Sequence, residues 1–69
     1  MRMALVSVYK KGVCVLEACA TFVNINYESG LVNTFDGHEW VTLLSGAAKI
    51  IRRMENGIVW YTVILPDEA

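Results

Sequence analysis

DGHEWVTLLSGAAKIIRRMENG, residues 36–57, folds on paper in two ways. As a helix at about 100° per residue, it gathers Trp40, Leu43, Leu44, Ala47, Ile50, Ile51 and Met54 on one side. Thr42, Ser45, Gly46, Lys49, Arg52 and Arg53 fall on the other. The ends suit a helix too. Asp36 is a good N-cap, and Glu39 follows it by three residues as in a capping box. Arg52 and Arg53 sit in the last turns, where the dipole favours cations. Asn56-Gly57 then makes a C-terminal stop. Gly46 is the blemish, at about 1 kcal/mol. As strands, the same residues use Asp36-Gly37 and Asn56-Gly57 as hairpin turns. The helix accounts for more of the pattern and is the reading adopted.

The flanks read as strands. Met3 to Tyr9 is one, with Lys10-Lys11-Gly12 as its turn. A second β run starts at Val13 and extends towards Tyr27. Its later part alternates, with Val23, Ile25 and Tyr27 on one face and Asn24, Asn26 and Glu28 on the other. Fifteen residues is long for one strand, so a bend or bulge is expected near Ala18–Thr21. Glu28-Ser29-Gly30 turns the chain into a strand at Leu31–Phe35. After Gly57, Ile58 to Leu65 is β-branched and aromatic throughout. The expected fold is α+β in the order β-β-β-α-β, an antiparallel sheet with one helix on one face. The alternative is an all-β meander or small barrel.

The chain has 69 residues and a net charge of -1, with 55% apolar residues. That length predicts a single domain burying only about 60% of its unfolded surface. The apolar fraction exceeds the usual ~45–50%. It is more than one small core easily hides, so self-association is expected. The strands at 3–8 and 58–65 are apolar on both faces, and one helix covers only one face. A second copy, or pairing at a strand edge, would cover the rest. Disorder is excluded by the apolar, nearly neutral composition. A helical membrane span is excluded because Ile58–Leu65, the longest clean apolar stretch, is far short of about 20 residues. The N-terminal run is too short and broken for a secretory signal. The expected location is the cytoplasm.

Little in the sequence carries chemistry. Cys14 and Cys19, five apart on one strand, would point to opposite faces roughly 16 Å apart. That is too far for a disulfide within the strand. They read as free, largely buried thiols, with an intersubunit disulfide as the alternative. His38 stands alone, so no metal set or nucleophile–base pair is expected. Asp36 and Glu39 are explained by capping. Glu17 lies in an apolar stretch and is expected to emerge at a strand edge or bulge. The glycines match no phosphate-binding loop. No catalytic residue, no metal and no cofactor are assigned.

The candidate contact residues are Lys49, Arg52 and Arg53, which share the polar side of the helix, and Trp60 and Tyr61, which point to opposite faces of their strand. Trp40, at the centre of the apolar stripe, is expected in the core. Asp67 and Glu68 add acid at the tail.

Short likenesses to known families exist. Thr34-Phe35-Asp36 resembles the strand-to-helix passage of a family of plant DNA-binding domains. Val8-Tyr9-Lys10-Lys11-Gly12 with Phe35-Asp36 resembles some small phage anti-CRISPR proteins, which implies an inhibitor of phage or mobile-element type. Gly30-Leu31-Val32 with His38-Glu39-Trp40 resembles a family of single-stranded-DNA binders. Each covers a few residues, and the chain is assigned to none of them. The functional expectation is a small, homo-oligomeric, non-enzymatic regulator or inhibitor acting by protein contact. The alternatives are a nucleic-acid-binding module using the basic residues and, last, an enzyme with an intersubunit site.

Overall fold

The structure is a computed structural model that describes residues 3–67. Its order is β1 (Met3–Lys10), β2 (Val13–Ala20), β3 (Phe22–Asn26), β4 (Leu31–Phe35), β5 (Trp40–Leu44), β6 (Lys49–Glu55) and β7 (Ile58–Ile64). These form a four-stranded sheet in the order β2-β1-β7-β6 and a three-stranded sheet in the order β3-β4-β5. No helix occurs among the described residues, so none is long and apolar enough to cross a membrane.

The chain passes between the sheets twice. The run from Val13 to Asn26 bends at Thr21, as its length required, and its two halves become β2 and β3. Thr21 still donates its N–H to Phe35 O at 2.9 Å, which carries the β3–β4 ladder up to the bend. The second passage, Ser45–Ala48, leaves β5 for β6. It is tied to the β3–β4 turn, where Gly46 N–H donates to Ser29 O and Ala47 N–H to Gly30 O, both at 3.2 Å.

The inner faces meet over a small core. Val6, Val8 and Val63 from the larger sheet and Val32 from the smaller are fully buried. Val23, Ile25, Leu43, Leu44, Ala47, Ile50 and Tyr61 pack around them. β1 and β7, the two strands apolar on both faces, hold the central places of their sheet. They run parallel, Met3 opposite Ile58 through Tyr9 opposite Ile64. The larger sheet is therefore mixed rather than purely antiparallel.

The α+β expectation is thus overturned in favour of the all-β alternative. Residues 36–57 form two strands and a connection. The helix pattern arose because Leu43, Leu44, Ala47 and Ile50 all reach one core across an irregular connection. Two period-2 segments joined out of step mimic a spacing of three and four. The supposed capping is real as hydrogen bonding. Asp36 Oδ1 accepts from the N–H groups of His38 at 2.8 Å and Glu39 at 3.0 Å. Gly37, at φ 99°, turns the chain away from a helix. Asn56 and Gly57, at φ 53° and 77°, form the two-residue hairpin turn that suits right-twisted strands. Lys11 and Gly12 repeat that turn between β1 and β2, at φ 53° and 79°.

Candidate functional site

The outer face of the three-stranded sheet carries an aromatic row. Phe22 lies opposite Phe35 on the neighbouring strand, and Phe35 opposite Trp40 on the next. The ring centroids are 6.1 Å and 5.3 Å apart, and successive planes tilt by 35° and 41°. The three rings form one stepped platform, each plane tilted against the next. Phe22 is 55% exposed and Trp40 53%. A second row of Asn24, Asn33 and Thr42 runs beside it. Thr42 Oγ1 donates to Asn33 Oδ1 at 2.8 Å, which leaves the Asn33 amide hydrogens for a ligand. Residues 21–48 contain Glu28, Asp36 and Glu39 but no Lys or Arg. The platform is therefore apolar at its centre, amide-rich beside it, and bordered by acid.

Trp40 is consequently not core, as the helix reading had it, but a surface residue. Phe22 and Phe35 were not singled out from sequence. Only cross-strand register aligns them with Trp40, and register follows from the two tight turns once the segment is read as strands.

The loop leading to Trp40 is held by the Asp36 carboxylate. The backbone N–H of Glu39, and to a lesser degree that of His38, hold its pKa below the ordinary carboxylate value. A lowered pKa means the ordering is present above the unfolded-state value and lost as pH falls through the folded one. In a Trp60→Phe background, Trp40 fluorescence should hold steady through neutral pH. It should then change with a midpoint below about pH 4. Asp36→Asn keeps an acceptor oxygen and should remove that acid transition. A transition unaltered by Asp36→Asn would place its cause elsewhere.

The sequence candidates are separated by β6 and β7. Arg53 pairs with Trp60 and Arg52 with Tyr61, so the two arginines look to opposite faces. Lys49 shares the Arg53 side. The basic cluster of the helix reading is thus split, because neighbouring strand residues alternate where helical ones share a face. Tyr61 packs against the core. Trp60 takes the outer face, as one of the pair had to, with the Arg53 guanidinium carbon 5.5 Å from its ring centroid. Trp60 also borders a groove of about 290 Å³ with Leu5, Ser7, Glu17 and Cys19. Its indole Nε1 is buried and finds no acceptor among the described residues.

Glu17 is exposed on the edge strand β2, where the apolar stretch comes to the surface. The cysteines differ from expectation twice. Both are exposed free thiols rather than buried ones. They also share a face, since Cys14 lies opposite Tyr9 and Cys19 opposite Leu5. The cause is a bulge, where the register slips between Val8 and Tyr9 and changes the alternation of β2. His38 is exposed. Among the described residues no three His, Cys, Asp or Glu side chains gather as a metal site. Glu68 lies outside the described residues. Compared with known proteins, the chain matches no protein-family model, no curated protein and no solved structure.

Proposed function

We propose that this chain is a small, non-enzymatic, cytoplasmic binding protein. It self-associates and regulates or inhibits another protein by covering part of its surface. The observation that carries the reading is the Phe22–Phe35–Trp40 platform. Exposed, aligned aromatics are the usual anchors of protein contacts, and Phe22 and Trp40 at its two ends are both more than half exposed among the described residues. The acidic border favours a partner with a neutral or basic rim. Trp60, with Arg53 above its ring, supplies a second contact area on the other sheet. Lys49, on the same face as Arg53, remains a candidate at its margin, while Arg52 and Tyr61 turn to the other face.

An aromatic row on a sheet also suits nucleic-acid bases, which stack on such rings. Charge separates the two readings. Single-strand binders join their rings to a basic groove, whereas this platform has no cation in its own sheet. The testing experiment is affinity capture of partners on immobilised protein, run with nuclease treatment and across a salt series. Arg52→Glu/Arg53→Glu should leave capture by the aromatic platform intact. A captured protein that survives nuclease supports the reading. Capture abolished by the charge reversal would move the site to β6. An oligonucleotide shift that collapses steeply with salt would replace protein by nucleic acid.

A further inference from the structure

The larger sheet ends in two open edges, β2 and β6. An unpaired edge is a template for another strand, and the two are not equivalent. β2 is interrupted by its bulge near Cys14–Val15 and cannot offer a continuous ladder. β6 pairs with β7 without a break over all seven of its residues, Lys49 to Glu55. Its other side receives no backbone hydrogen bond among the described residues. Six of the seven residues are exposed, Ile51 and Met54 among them at 44% and 59%.

The occupant is indicated by the sequence of the strand itself. Set Lys-Ile-Ile-Arg-Arg-Met-Glu antiparallel to a second copy about a two-fold axis through Arg52. Lys49 then lies opposite Glu55′ and Glu55 opposite Lys49′, the prime marking the other copy. Ile50 meets Met54′, and Ile51 meets Arg53′. Lys49 and Glu55 both stand on the outer face, so each pair falls on one side of the joined sheet. A lone charge on an edge opposes pairing, but opposite charges at symmetric positions become matched when the strand meets itself. Arg52 opposite Arg52′ is the one clash, and it makes the contact weaker than the rest of the strand would allow.

We propose that β6 is the self-association edge. Two copies would pair antiparallel about Arg52 to give one continuous eight-stranded sheet. This rests on the self-association half of the proposed function and leaves the aromatic platforms free for another partner.

The test is a charge swap, read as the dimer dissociation constant from light scattering or sedimentation over a range of concentrations. Lys49→Glu and Glu55→Lys should each raise the constant about 30-fold, because two attractive pairs become repulsive. The double variant Lys49→Glu/Glu55→Lys should recover wild-type association. The two side chains stand at opposite ends of β6, so only pairing between chains predicts that rescue. Arg52→Thr should tighten the dimer about threefold. A double variant no tighter than the single ones would overturn the β6 pairing. Dissociation by Leu16→Lys on β2, with the charge swaps silent, would also overturn it. A wild-type monomer at every concentration would remove self-association altogether, while capture through Trp40 would still be judged on its own assay.

Discussion

Gly30→Ala should lower the melting temperature by about 20 °C, far more than alanine at Gly12, where a Cβ meets open space. Both glycines have positive φ, 70° and 79°. The conformational penalty is thus similar at the two sites, about 1–2 kcal/mol. The difference lies in what stands next to Gly30. A Cβ there would fall on the Ala47 backbone nitrogen and within 2.6 Å of its carbonyl oxygen. That backbone cannot yield cheaply. Ala47 N–H donates to Gly30 O, and Gly46 N–H donates to Ser29 O one residue away. Moving it strains two hydrogen bonds of about 1 kcal/mol each. The sum, about 3–4 kcal/mol, approaches the whole stability of a domain this small. Thermal unfolding followed by circular dichroism decides the matter. Equal losses for Gly30→Ala and Gly12→Ala would mean the close approach is absent.

That contact also shows where the sequence was legible. Glu28-Ser29-Gly30 reads as a turn, and the turn is there. Nothing local says that it presses on Ala47, because the two are joined only by tertiary structure. The bend at Thr21 was legible because strand length is a physical limit. The strands 3–10 and 58–64 were legible from their β-branched runs, but their apolar residues on both faces pointed to cover by a second copy, whereas the structure gives them the central places of the larger sheet. Segment 36–57 was misread because each helix signal in it had a second use. Asp36 caps a turn as readily as a helix, and Asn56-Gly57 closes a hairpin as readily as it ends a helix. Gly46, treated as a blemish, was the sound warning, since it sits in the connection at φ 77°. The site suffered in turn. Trp40 inside a helix stripe is core, while Trp40 on a strand opposite Phe35 is surface. The contact residues Lys49, Arg52 and Arg53 lost their common face for the same reason.

Trp40→Ala should weaken binding to a captured partner by about 2 kcal/mol or more, roughly 30-fold, with little loss of stability. The side chain is 53% exposed and holds one aromatic neighbour, a pair of about 0.5–1.5 kcal/mol. Phe22→Ala at the other end of the row should behave alike. Phe35 is the poorer choice, since it joins both neighbours and its removal would weaken the sheet as well. Titration calorimetry against the purified partner, with melting curves of each variant, separates the two effects. Unchanged affinity in both Trp40→Ala and Phe22→Ala would dismiss the platform as the contact. Charge gives a second, signed test at the same face. Glu39 stands beside Trp40 in a segment without cations. Glu39→Lys should weaken a partner chosen for its basic rim. It should strengthen a nucleic acid stacked on the same rings, because each added cation gains a phosphate contact. The direction of that one change distinguishes protein from nucleic acid on a platform whose shape admits either.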